Sequence, residues 1–156
     1  MKIILTAFLL LFFSTYYVFS NNLQISNVSL KDLDAASGYV MVELDLSWEN
    51  SWRTDNLNGE GVENWDAVWL FVKYQKSGGT WHHASLNTTE SNHSTGTAGS
   101  NAEFHAPDDG KGVFFYRSGN GTGSFSSTDI KLRWEYGTDG ISYNINSEIS
   151  RIEVFG

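Results

Sequence analysis

Tyr39-Val40-Met41-Val42-Glu43-Leu44-Asp45-Leu46-Ser47-Trp48-Glu49-Asn50 alternates apolar and polar residues along most of its length. Val40, Val42, Leu44, Leu46 and Trp48 fall on one side of an extended chain, and Glu43, Asp45 and Ser47 fall on the other. Successive side chains of a strand point to opposite faces, so this stretch predicts a long strand with one dry and one wet side. The pattern repeats further along. Residues 129–136 set Ile130, Leu132, Trp134 and Tyr136 against Lys131, Arg133 and Glu135, and residues 113–117 read as a short aromatic strand. In residues 66–75, Val68, Leu70, Val72 and Tyr74 share one side while Trp69 and Phe71 make the other side apolar too. That predicts a central strand covered on both faces.

Residues 23–30 can open the fold, residues 81–86 can pair after the Ser77-Gly78-Gly79 turn, and residues 148–155 can close it. Nowhere does an 11-residue window carry a helical stripe. The segments between, residues 53–64, 87–101, 107–112 and 118–127, are polar and glycine-rich, and no fixed-period repeat divides the chain. The expected fold is all-β: an antiparallel two-sheet sandwich of about seven strands, immunoglobulin-like or jelly-roll.

The first twenty residues differ in kind. Lys2 gives a positive start, residues 3–13 are almost unbroken apolar chain, and Val18-Phe19-Ser20 offers a small residue for cleavage. This is the pattern of a removable signal peptide. The apolar run is shorter than the ~20 residues of a spanning helix, and no other stretch is long enough, so no stable membrane span is expected after processing. The chain divides into residues 1–20 as signal and residues 21–156 as one domain, secreted or held in the periplasm or at the cell surface.

With Lys2 removed, nine basic residues face eighteen acidic ones, a formal charge of −9 with histidines neutral. Nucleic acid is excluded as a partner on this ground, because binding it relies on neutralising phosphates with Lys and Arg. The absence of cysteine removes disulfide stapling, thiol catalysis and thiolate metal sites together.

The remaining chemistries are weak. His82, His83, His93 and His105 are available for a metal, but adjacent strand residues such as His82 and His83 point to opposite faces. Loop 55–60 places Leu57 and Gly59 where a calcium loop wants oxygen ligands, which leaves Asp108, Asp109 or backbone carbonyls for calcium. Gly119, Gly121 and Gly123 lack the helix that a phosphate loop needs and read as hairpin glycines. A hydrolase needs paired carboxylates or a nucleophile with its base, and the alternation puts Glu43, Asp45 and Glu135 on wet strand faces. Asn27, Asn87, Asn92 and Asn120 each open an Asn-x-Ser/Thr triplet and mark surface loops.

Aromatic residues make up 15% of the chain, so their placement decides where a ligand could bind. Trp48, Trp69 and Trp134 read as core. Trp52, Trp65 and Trp81 fall at strand ends or in loops, where an indole either caps the sandwich or, with Tyr116, offers a flat surface to a sugar ring or a partner protein.

The segments Leu44-Asp-Leu-Ser-Trp-Glu-Asn-Ser-Trp-Arg53 and Asn64-Trp-Asp-Ala-Val-Trp-Leu-Phe-Val-Lys-Tyr74 carry a likeness, strengthened by Trp81-His-His-Ala-Ser-Leu86, Asp109-Gly-Lys-Gly-Val-Phe-Phe-Tyr-Arg-Ser118 and Leu132-Arg-Trp-Glu-Tyr136. Across nearly the whole mature chain it resembles the N-terminal region of secreted bacterial proteins whose C-terminal part is similar to formylglycine-generating enzymes, the sulfatase-modifying factor family. In that family the catalytic domain would begin about where this sequence stops, and the enzymes' catalytic cysteines have no counterpart here. The resemblance implies an accessory β-sandwich without catalytic residues.

The leading expectation is therefore a non-catalytic extracytoplasmic module that presents a rigid sandwich to a protein or domain partner, with no cofactor required. A carbohydrate-binding module using Trp52, Trp65, Trp81 and Tyr116 is the alternative. A small hydrolase or metalloenzyme is third.

Overall fold

The structure, a computed structural model, describes residues 21–54, 63–142 and 145–156. The expected signal peptide and the acidic loop at residues 55–60 lie outside the described residues. Nine strands are present among those described: β1 (Gln24–Asp34), β2 (Tyr39–Thr54), β3 (Asn64–Trp65), β4 (Val68–Lys76), β5 (Trp81–His83), β6 (Ala102–His105), β7 (Val113–Arg117), β8 (Gly121–Trp134) and β9 (Ile149–Phe155). They form two antiparallel sheets, as the all-β sandwich requires. In the first, β2 lies between β1 and β8, with β3 pairing the far end of β2. In the second, β4 is the hub, paired with β5 at Lys73–Gln75, β7 at Val68–Leu70 and β9 along Phe71–Lys76, and β6 adds to β7. Because β5 and β9 both bind the Lys73–Gln75 stretch, they occupy opposite edges of β4. No helix among the described residues is long and apolar enough to cross a membrane.

The inner faces carry the residues that periodicity selects. Val40, Val42, Leu44, Leu46 and Trp48 of β2 meet Val68, Leu70, Val72 and Tyr74 of β4, with Val113 and Phe115 of β7 and Ile130, Leu132 and Trp134 of β8, all buried. Each fully buried large side chain contributes about 1.5–3 kcal/mol of apolar transfer, and that burial is the main force holding the cysteine-free sandwich. Trp48 sits in an aromatic cluster with Phe115 and Phe125, at ring separations of 6.2 and 5.0 Å.

The count exceeds the expected seven by β3 and β6. β3 and β6 are two and four residues long, too short to show a period. β8 begins at Gly121, inside the stretch expected to be a loop, and its inward phase changes midway. Phe125 and Ser127 point inward, then Ile130 and Leu132 do, because Thr128 and Asp129 together oppose Asp45 alone in the register. Asp129 takes a positive φ of 57° at this bulge, and its backbone N–H donates to the Asp45 carboxylate at 3.0 Å. A matching irregularity at Asn50 of β2, φ 57°, turns Ser51 and Arg53 inward. The glycines expected to form a hairpin at 119–123 instead lead from β7 in one sheet to β8 in the other.

Candidate binding face

An antiparallel sheet of a sandwich has one face in the core and one toward water, and the outer faces of the two sheets differ sharply here. On the β1–β2–β8 sheet most outward residues are polar and paired: Lys31 meets Glu43 at 3.7 Å, Lys131 meets Asp32 at 2.5 Å and Glu43 at 3.9 Å, and Arg133 meets Glu135 at 2.6 Å. This is a solvated surface of the usual kind.

The outer face of the β4 sheet is aromatic. Strand register arranges it in rows. Trp81, Gln75 and Arg151 form the first, and His83, Lys73 and Glu153 the second. Phe71 and Phe155 form the third, and Trp69, Phe114 and His105 the fourth. Tyr116 and Glu103 form the fifth, where Trp65 of β3 reaches over to stack on Tyr116 at 5.5 Å and 25°. Rows two residues apart along a strand are separated by roughly 6.7 Å, so the strip runs for roughly 27 Å. Rings pair within rows, Phe71 on Phe155 at 5.2 Å and Trp69 on Phe114 at 4.5 Å, and Phe71 also stacks on His83 at 5.4 Å.

β4 is thus central, as expected, but no described element covers its outer side, which corrects the expectation of burial on both faces. Trp69, Phe71, Phe114 and Tyr116 are half-buried because they shield one another laterally. Trp69 is accordingly not core, unlike Trp48 and Trp134. Gly112 supports it from the side, since a Cβ there would lie 2.4 Å from the indole Cζ2.

Cations sit among these rings. Arg53 lies over Trp65 and Tyr116 at 5.2 and 5.8 Å, Lys73 over Phe71 and Phe155 at 6.0 and 5.7 Å, and Arg151 over Trp81 at 5.5 Å. Burial, with the nearby Lys73 and Lys111 ammoniums, holds the His83 pKa below its usual value, so the ring is neutral at pH 7. Tyr116 is pushed upward by burial and then by Glu103 and Glu90.

The four aromatics singled out in the sequence are divided among three places. Trp65 and Tyr116 stack at one end of the strip, and Trp81, 37% exposed, stands at the other. Trp52 lies between the inward Ser51 and Arg53 and therefore projects on the opposite side of β2, apart from the strip. Sequence reasoning missed Trp69, Phe71, Phe114, Phe155 and Lys73. The only signal for them was the doubled apolar pattern of β4, which reads equally well as burial.

The polar constellations have structural duties. Asp66, at the crossing from β3 to β4, accepts from the Trp48 indole N–H at 2.8 Å, the Ser51 hydroxyl at 3.2 Å and the Trp52 backbone N–H at 2.9 Å. Asp139 does the same for the Trp134 indole at 2.7 Å and for the Ser85 hydroxyl and N–H at 2.6 and 3.0 Å. His93 lies in a loop, as expected of the histidines, but is buried there. Its Nδ1 accepts from the Arg133 N–H at 3.1 Å while Nε2–H donates to the Asn87 carbonyl at 2.8 Å, which specifies one neutral tautomer. His82 stacks on Tyr74 and His83 on Phe71, on opposite faces of β4. Asp109 closes a turn by accepting from the Lys111 N–H at 3.0 Å. Among the described residues no group of three or more His, Cys, Asp or Glu is placed to hold a metal ion.

Comparison with known proteins returns no relative: no family model, no curated protein and no solved structure matches the chain.

Proposed function

We propose that this protein is a non-catalytic extracytoplasmic binding module that takes a glycan chain along the aromatic outer face of its β4 sheet. The observation that carries the reading is the strip itself, Trp65 to Trp81, where a sandwich ordinarily places polar residues. Aromatic faces stack against the apolar faces of sugar rings, and Gln75, His83, His105 and Glu103 in the same rows supply hydrogen-bonding groups for hydroxyls. The length of the strip suits several consecutive rings. The accessory role implied by the resemblance to the sulfatase-modifying factor family accords with a module of this kind, which would hold an enzyme-like partner near its substrate.

Docking of a protein partner is the second reading, and the exposure of Trp65, Trp81 and Phe155 favours it. Protein interface centres are depleted of Lys and Glu, however, and here Lys73 stands in the middle of the strip beside Phe71 and Phe155. That composition favours the glycan.

Affinity electrophoresis of the full chain through gels containing soluble glycans, paired with tryptophan fluorescence, tests the reading. Retardation that disappears in a Trp69→Ser, Phe71→Ser variant and persists in Trp52→Ser supports it. Retardation that follows Trp52 instead, or none with any glycan, refutes it.

A further inference from the structure

The second row differs from the others in charge. Among the described residues Lys73 and Lys111 have no carboxylate within ion-pair distance, although the chain holds eighteen acidic residues against ten basic ones. Glu153, which faces Lys73 across the β4–β9 register, is held instead by Arg151 at 2.5 Å. Lys73 rests over the Phe71 and Phe155 rings, and Lys111 precedes Gly112 and Val113, which lie against Trp69 and Leu70, within electrostatic range of His83. These two ammoniums without carboxylate partners, one of them over stacked rings, form a small positive island on a protein whose net charge is −8.

Long-range charge repels a polyanion from such a protein, so an anionic ligand is tolerated only where local cations outweigh the field. Resting on the glycan reading of this face, we infer that the chain it binds is a polyuronate, whose ring carboxylate is held by Lys73 and Lys111 while the ring stacks on Phe71 and Phe155. Charge density selects the carboxylated chain over a sulfated one. One carboxylate per sugar brings a single charge to the lysines, whereas a densely sulfated chain would crowd several against Glu153 in the same row and against Glu103 at the far end of the strip. The ammonium–carboxylate hydrogen bond supplies selectivity, and the rings supply contact area.

The test compares binding of the full chain to polygalacturonate, to alginate and to fully methyl-esterified polygalacturonate by isothermal calorimetry. The esterified polymer keeps the backbone and loses the charge. The expected result is at least tenfold tighter binding of the acid form than of the ester, with Lys73→Gln and Lys111→Gln each losing roughly tenfold. Lys131→Gln, on the opposite sheet, should leave binding unchanged. Equal binding of acid and ester, lost in Phe71→Ser but insensitive to Lys73→Gln, overturns the polyuronate assignment and leaves the glycan face standing. A preference for dextran sulfate, or an equal loss in Lys131→Gln, also overturns it, as unspecific attraction of polyanions. Binding of neither polyuronate together with binding of neutral glycans has the same consequence, and binding of no glycan removes both readings.

Discussion

Replacing Asp66 by Ala tests whether the carboxylate at the β3–β4 crossing serves the fold. The side chain accepts three hydrogen bonds, and two of their donors belong to buried residues, Trp48 and Ser51. An orphaned buried donor costs about 1–3 kcal/mol. Ser51 Oγ accepts from Arg117 Nε at 2.8 Å, which does not satisfy its own proton, so two buried donors are orphaned, and the half-exposure of Asp66 lets water offset part of the loss. The total should come to about 3–4 kcal/mol, a large share of the stability of a domain of this size. At this chain length that corresponds to a fall in Tm of roughly 10 °C. Asp66→Asn should fall between the two, because its amide can accept from Trp52 and Ser51 but turns an N–H toward the indole. The assay is urea unfolding of the wild type, Asp66→Ala, Trp48→Phe and the double variant. A loss below about 1 kcal/mol, or strict additivity in that cycle, would refute the assignment of Asp66 as the indole's acceptor.

Three further outcomes are expected. Gly112→Ala places a methyl carbon 2.4 Å from Trp69 Cζ2 and 2.8 Å from the Leu70 carbonyl, so it should cost about 1–3 kcal/mol and shift Trp69 emission to the red. An unchanged spectrum would mean that the strip does not lean on this loop. Burial keeps the folded His93 pKa below its ordinary 6.5, so the unfolded chain binds the proton first. Its contribution is complete above about pH 6.5 and is lost as pH falls through that value, at no more than about 1.4 kcal/mol per pH unit. Thermal unfolding between pH 7 and 5 should therefore fall more steeply for the wild type than for His93→Gln. Arg117 donates to Ser51 Oγ at 2.8 Å and to the Gly123 and Ser124 carbonyls at 3.1 and 3.0 Å while lying over Phe125 at 4.5 Å. Arg117→Met should cost about 2–3 kcal/mol by denaturant titration, and a neutral result would show that β7 and β8 are joined without it.

How much was legible follows from which residues speak locally. Val40 to Trp48 and Ile130 to Trp134 announce their strands because burial of one face imposes a period of two on adjacent residues. Residues 121–128 stay silent for the opposite reason. Their strand is built from Gly, Ser and Thr, held by pairing to β2 and by Ser127, whose hydroxyl takes the Ala98 N–H at 3.0 Å and donates to the Thr95 carbonyl at 2.6 Å. Those partners lie some thirty residues away. Trp69 was misplaced because an apolar residue looks the same to a periodicity argument whether a second layer or only neighbouring rings cover it.

Alternation by itself determined a two-sheet β architecture with most of its core residues, since it depends only on side chains a few positions apart. The binding strip did not follow from it. Trp65 and Tyr116, or Phe71 and Phe155, become neighbours only when register sets strands side by side, and the bulges at Asn50 and Asp129 decide which face each later residue takes. A face is a property of pairing between distant segments, and pairing is settled by the whole packed molecule.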